Sequence, residues 1–78
     1  MDEILERAQA QLSAIEMAYS IRIKNKEDIA RIIASGLKEK SEVYAVCTGI
    51  NSWIACHDPS REVAVPEDLV SQFIFSVR

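Results

Sequence analysis

The spacing of apolar and polar residues predicts two helices in the first half of the chain. Over residues 2–19 the apolar positions recur at alternating intervals of three and four, at Leu5, Ala8, Leu12, Ile15 and Tyr19, as in an amphipathic helix. We expect this helix to continue to about residue 23, although residues 19–24 also alternate like a short strand. Asn25 suits the N-cap of a second helix, whose apolar face comprises Ile29, Ile32, Ile33 and Leu37. With so short a connection, the two helices should pack as an antiparallel hairpin.

The segment 43–57 has the most distinctive pattern in the chain. Two runs rich in β-forming residues, about 42–48 and 52–57, flank a segment that contains Gly49 and Asn51, and this arrangement predicts a β-hairpin. Both runs are apolar at both alternating positions, whereas a strand with one face in water should alternate apolar and polar residues. We therefore expect one hairpin face to pack on the helices and the other to need a second cover, such as a partner protein.

The last third of the chain predicts a turn, a strand and a helix. Asp58–Arg61 has the composition of a type I turn, and residues 62–65 would add a third strand to an antiparallel meander. Pro66 suits the start of a last helix; the alternative makes residues 72–78 a strand, because apolar residues alternate there. The predicted fold is α+β, one domain over residues 1–78: an N-terminal antiparallel helical hairpin, a two- or three-stranded antiparallel β-meander and a short C-terminal helix.

Composition and charge narrow the possible partners. Of the 78 residues 49% are hydrophobic, more than so short a chain buries easily, which favours self-association as a homodimer. The net charge of −3 argues against general nucleic-acid binding, because phosphate contacts need clustered Lys and Arg. Residues 22–40 are basic, however, so an alternative function is a nucleic-acid-associated regulator with an electrostatic patch at Arg22, Lys24, Lys26 and Arg31.

Cys47, Cys56 and His57 are the candidates for chemistry. A structural zinc site needs four convergent ligands, and the chain has two cysteines and one histidine, so no metal site is predicted. In the hairpin registers considered, Cys47 and His57 do not reach hydrogen-bond contact, as a nucleophile and its base must. A loop at Asn51–Ser52 would set Cys47 opposite Cys56 and allow a disulfide. A thiol-dependent enzyme or redox sensor at Cys47 or Cys56 is thus a second alternative, but no catalytic residue, cofactor or small-molecule substrate is predicted from a motif.

One face of the predicted hairpin has the composition of an interface. It would carry Tyr44, Val46, Trp53 and His57, a bulky set with polar groups of the kind found at hot spots. Alternatively, Trp53 packs on the C-terminal helix beside Phe73.

The predicted function is therefore a small non-enzymatic protein–protein interaction module: a subunit, inhibitor or regulator of a larger protein that also self-associates. Small regulators of phages and mobile elements share this size and lack of motifs. The acidic start of the chain and the absence of a stretch of about 20 apolar residues predict a cytoplasmic protein without a membrane span.

Overall fold

The computed structural model describes residues 2–57 and 61–77. Four helices and two short strands follow one another along the chain: α1 (Glu3–Tyr19), β1 (Arg22–Ile23), α2 (Lys26–Gly36), α3 (Lys40–His57), β2 (Glu62–Val63) and α4 (Glu67–Val77). Helices hold 78% of the described residues and strands 5%. The predicted α+β fold with an antiparallel meander is therefore wrong, and the domain is mainly helical.

The first helix has clear signals at both ends. The Asp2 carboxylate accepts hydrogen bonds from the amides of Ile4 and Leu5 at 3.1 and 3.2 Å, which satisfies two of the free N–H groups of the first turn. The helix ends at Ser20, whose φ of 54° is left-handed. The predicted continuation to residue 23 is therefore wrong, and the alternating pattern of residues 19–24 corresponds to the short strand β1.

β1 and β2 form a parallel two-stranded ladder in which Arg22 lies opposite Glu62. The amide of Lys24 extends the ladder by donating to the carbonyl of Val63 at 2.9 Å. A strand does occur where the third strand was predicted, but it is shorter, and it pairs in parallel with β1 rather than within a meander. The predicted turn over residues 58–61 falls mostly outside the described residues.

Asn25 joins this ladder to the segment before α4. It occupies the predicted N-cap position of α2, but its side chain makes no capping bond. Instead, its Nδ2 donates to the carbonyl of Val65 at 2.8 Å and its Oδ1 accepts from the Val65 amide at 3.1 Å. Because Val65 is 1% exposed, these bonds satisfy backbone groups that are shielded from water.

Glu16 fixes the end of α1 on the same side of the molecule. Its carboxylate accepts from the amide of Ile23 at 2.8 Å and from the Lys26 ammonium at 3.0 Å. Burial acts to raise the pKa of Glu16, but these two hydrogen bonds and the positive charges of Lys26 and Arg22 outweigh it, so the pKa lies below its ordinary value. The charged form of Glu16 is thus part of the fold.

α3 occupies the place of the predicted hairpin. Its buried residues follow the helical spacing i, i+3, i+4, i+7 and i+11: Val43, Val46, Cys47, Ile50 and Ile54. Such a spacing fills both alternating positions of a hypothetical strand, so the pattern that suggested two apolar strand faces is one face of a helix. Gly49, which suggested a turn, lies against α4: a Cβ there would be 3.1 Å from the ring of Phe73.

The four helices enclose one core. α1 packs on α2 and α3, and α4 packs on the same two helices, so the order around the core is α1, α2, α4, α3. The predicted C-terminal helix is present as α4, and the strand alternative for residues 72–78 is wrong. None of the helices within residues 2–57 and 61–77 is both long and apolar enough to cross a membrane.

Candidate functional site

A groove of about 300 Å³ lies between α1 and α3. Each helix contributes positions i, i+3, i+4 and i+7, which form one continuous strip along a helix. The strips are Gln11, Ala14, Ile15 and Ala18 from α1, and Tyr44, Cys47, Thr48 and Asn51 from α3. None of these eight side chains is charged, so the groove offers hydroxyl, amide and apolar groups only.

The outer side of α1 is made of small and apolar residues. Met17 is 82% exposed, and exposed alanines recur beside it at intervals of four: Ala10, Ala14 and Ala18. Between positions 8 and 21 the only charged residue is Glu16, and its carboxylate is bound to Ile23 and Lys26. The solvent-facing side of this half of α1 therefore carries no charge.

α3 continues this uncharged area. No charged residue occurs between positions 43 and 56, although 27% of the whole chain is charged. We name the outward-facing side chains of the two helices the α1–α3 surface: Ala10, Gln11, Ala14, Met17, Ala18, Tyr44, Thr48 and Asn51. Solvated faces of small domains normally carry interspersed charges, so an uncharged area that spans two helices is typical of a surface that is covered by something else.

Two electrostatic contacts hold α1 on α3 at one end of the groove. The Lys40 ammonium lies 2.9 Å from the Glu3 carboxylate, and the hydrogen bond and charge of Lys40 lower the pKa of Glu3. The Arg7 guanidinium donates a hydrogen bond to the Tyr44 hydroxyl, and Cζ of Arg7 lies 5.6 Å from the centre of the Tyr44 ring. The Tyr44 ring is thereby held at the groove.

The floor of the groove contains a thiol that is poorly suited to nucleophilic chemistry. Burial raises the pKa of Cys47 to about 11, so the thiol is protonated at neutral pH, whereas the thiolate is the reactive form. Cys56 is exposed, and both cysteines are free. Their nine-residue separation on one helix spans about 13 Å at ~1.5 Å per residue, too far for a disulfide. The Asn51–Ser52 hairpin register, the one in which a Cys47–Cys56 disulfide was considered, is therefore wrong.

The four residues predicted as a partner interface do not share one face. Tyr44 is 43% exposed and lines the groove, whereas Val46 is fully buried in the core. Trp53 follows Tyr44 by nine positions, about half a turn away around the helix axis, and it packs partly on the core. His57 stacks on Trp53, with ring centres 4.4 Å apart and planes inclined by 18°. Of the predicted set, only Tyr44 belongs to the α1–α3 surface.

The small residues of α1 were not predicted as part of a site. Alanine and methionine are both good helix formers, so Ala10, Ala14, Met17 and Ala18 by themselves indicate only a helix. A signal was present, because the charges of α1 are confined to its first turns apart from Glu16. That signal becomes informative only when the position of Glu16 on the other side of the helix is known.

Carboxylates lie beside most of the predicted basic patch. Arg22 is exposed on β1, and the other three basic residues form ion pairs: Lys24 with Glu62 at 3.5 Å, Lys26 with Glu16 at 3.0 Å, and Arg31 with Asp28 at 3.4 Å. These carboxylates weaken the positive field that a phosphate backbone would meet.

Within the described parts of the chain, no three His, Cys, Asp or Glu side chains converge in a way that could hold a metal ion. The chain matches no protein-family model, no curated protein and no solved structure. Function is therefore inferred from the geometry of the α1–α3 surface.

Proposed function

We propose that this protein is a small, non-enzymatic interaction module of the cytoplasm, a subunit, inhibitor or regulator that binds a protein partner through the α1–α3 surface. The observation that supports this function is the absence of charge from the outward side of the second half of α1 and from residues 43–56 of the adjacent α3. Cys47 and Cys56 do not pair with each other, so the chain lacks the disulfide framework on which small secreted domains commonly depend.

The chemistry of the surface suits protein docking. The centres of protein interfaces are depleted in charged residues and enriched in Tyr and Met. The α1–α3 surface likewise lacks charged residues and contains Tyr44 and Met17. The alanines of α1 allow another backbone to approach closely, and Met17 adapts its shape to what it meets. Gln11 and Asn51 on the groove walls supply amide donors and acceptors. Covering such a surface removes no charge from water, so association avoids the large desolvation penalty of buried ions.

Co-purification of the tagged protein from its native host tests this function. Ala14→Arg places a long cation in the middle of the surface, and Ser71→Arg, at an exposed position of α4, is the matched control. We expect the wild type and Ser71→Arg to retain the same bound protein. Ala14→Arg should lose it, with affinity reduced by about 30-fold or more, equivalent to ~2 kcal/mol for a residue at an interface centre.

Both variants should keep the helical circular dichroism of the wild type, because both positions are exposed on helices. If Ala14→Arg retains the bound protein as well as Ser71→Arg does, the α1–α3 surface is not the binding surface and the proposal is wrong.

A further inference from the structure

We infer that the partner of the α1–α3 surface is a second copy of this chain, bound in a two-fold symmetric pair with Ala14 of each copy at the symmetry axis. The inference rests on the proposed function, since it names the occupant of the same surface.

The distribution of charge favours a second copy at this surface. Each chain carries a net charge of −3, so two copies repel each other wherever their charged faces meet. On the α1–α3 surface this repulsion is small, because residues 43–56 hold no charge and Glu16 is bound to Lys26 at 3.0 Å on another side of α1. Two copies can therefore meet here without placing like charges in contact.

The arrangement of residues on α1 is self-complementary. In a two-fold interface each contact occurs twice, with residue i of one copy on residue j of the other and the reverse. The exposed alanines at positions 10, 14 and 18 are symmetric about position 14. If two copies of α1 pack antiparallel, Ala14 meets Ala14 and Ala10 meets Ala18 of the other copy. Small side chains at the crossing allow the helix axes to approach to about 8 Å.

The same arrangement covers the exposed Met17. Met17 lies about 60° from Ala14 around the helix axis, on the side away from the groove, and a two-fold pair brings the same side of both helices together. Met17 therefore lies beside Ala10 of the other copy. An antiparallel pair also sets opposite ends of the two α1 dipoles side by side, which is favourable. The most exposed apolar side chain of the surface thus gains a cover without any change in the fold.

The size of the surface predicts a weak dimer. α1 and α3 have 17 and 18 residues, so each is about 26 Å long, and two neighbouring helices of this length cover roughly 500 Å². Standard interfaces bury about 800 Å² per partner. The dimer should therefore be weak, and we expect it to form and dissociate at micromolar to millimolar concentrations, from about 5 μM to about 1 mM.

Sedimentation equilibrium of the whole chain across that range tests the inference. The mass of one chain is 8.8 kDa. As the concentration of the wild type increases, its average mass should rise from this value toward twice this value. Ala14→Glu and Ala14→Lys should each weaken the dimer by about 30-fold or more, because two like charges face each other at the axis. An equimolar mixture of the two variants should recover the dimer, because Glu then faces Lys. The matched controls Ser71→Glu and Ser71→Lys should associate like the wild type.

A second measurement does not depend on introduced charges. Ala14→Cys in a Cys56→Ser background should form a disulfide-linked dimer on oxidation, because a residue at a two-fold axis meets its own copy. The same background without the cysteine at position 14 is the control.

Each contrary result removes a particular part of the inference. A wild type that stays monomeric at the highest concentration excludes the second copy as partner, while the proposed function stands if Ala14→Arg still loses its bound protein. A dimer that persists in Ala14→Glu uses another face. A mixture of the Glu and Lys variants that stays monomeric, together with no cross-linking of Ala14→Cys, shows that Ala14 does not lie at the axis.

Discussion

The replacement of Asn25 by aspartate separates two roles that this residue could have. At the N-cap of α2, aspartate is as effective as asparagine, so a capping role would leave stability unchanged. In the structure, however, Asn25 donates to the carbonyl of Val65 at 2.8 Å and accepts from its amide at 3.1 Å. Aspartate keeps the acceptor but has no donor, and it sets a carboxylate oxygen against the Val65 carbonyl.

The size of the effect follows from the burial of Val65. Since this residue is 1% exposed, water cannot replace the lost donor, and an unsatisfied buried acceptor costs about 1–3 kcal/mol. A freed aspartate that turned to cap α2 would return about 0.5–1 kcal/mol. The net expectation is a loss of about 1 kcal/mol, a substantial share of the roughly 5 kcal/mol expected at the lower end for small domains.

Urea unfolding followed by far-UV circular dichroism measures this loss. For a slope of about 1 kcal/mol per molar urea, typical of small domains, the midpoint of Asn25→Asp should fall by about 1 M. The control is Asp2→Asn, the reverse exchange at a position where the side chain does cap a helix. It should change stability by less than about 0.5 kcal/mol in moderate salt, which screens the helix dipole. A midpoint for Asn25→Asp equal to that of the wild type, at equal slope, would refute the bridging role of Asn25.

Three further predictions concern packing, pH and the thiols. Gly36→Ala should lower stability by about 1–3 kcal/mol, because its Cβ would lie 2.8 Å from Cγ2 of Ile74 in the core; an unchanged thermal midpoint would contradict this packing. The folded-state pKa of Glu16 is lowered from 4.5, so its contribution is present above pH 4.5 and is lost as the pH falls through the lower folded-state value. The wild type should therefore lose more stability than Glu16→Gln between neutral and acidic urea titrations, and parallel losses would show that the Glu16 charge does not matter. At neutral pH a thiol reagent should label Cys56 quickly and Cys47 slowly, because Cys47 is 3% exposed and burial raises its pKa to about 11. Cys56→Ser should abolish the fast phase, and a fast phase that remains would mean that the groove opens readily.

Three of the four helices could be predicted from local signals. α1, α2 and α4 each combine apolar residues at helical spacing with a helix-start signal, at Asp2, Asn25 and Pro66 respectively. Such signals lie within one or two turns of the helix that they start, so the chain near them is sufficient to define the helix.

α3 could not be predicted in the same way, because its local preferences and its spacing disagree. Residues 43–57 are rich in β-forming side chains and contain Gly49 near Asn51, which favours a hairpin. The reason for glycine at position 49 lies in α4, where the Phe73 ring occupies the space of a Cβ. A contact between residues so far apart in the chain leaves no mark in the local pattern.

The parallel ladder is another feature without a local signal. β1 and β2 have two residues each and are separated by about forty positions. Their register is held by Asn25, whose polar side chain at the start of α2 looked like an ordinary cap. A hydrogen bond from this side chain to Val65 becomes visible only when the helices are assembled.

Only one residue of the α1–α3 surface could be predicted from the sequence as part of an interface. Tyr44 was predicted as an interface residue on a strand, whereas it lies on the α1–α3 surface as part of a helix. The alanines of α1 are compatible with any helix surface. Which of them remain exposed depends on the position of α3 beside α1, and that position follows from the core contacts of Val43, Val46 and Ile50.

The contacts that stabilise the fold and the proposed recognition surface lie on different sides of α1. Glu16 and Asn25 hold α1, α2 and the strand ladder together, whereas Ala14 and Met17 make no such contacts and face solvent. Because association stabilises the folded state by mass action, the two sides should still be linked in one measurable way. The urea midpoint of the wild type should rise with protein concentration, and that of Ala14→Glu should not. Asn25→Asp should lower the midpoint at every concentration while keeping its dependence on concentration, because it weakens the fold without altering the α1–α3 surface.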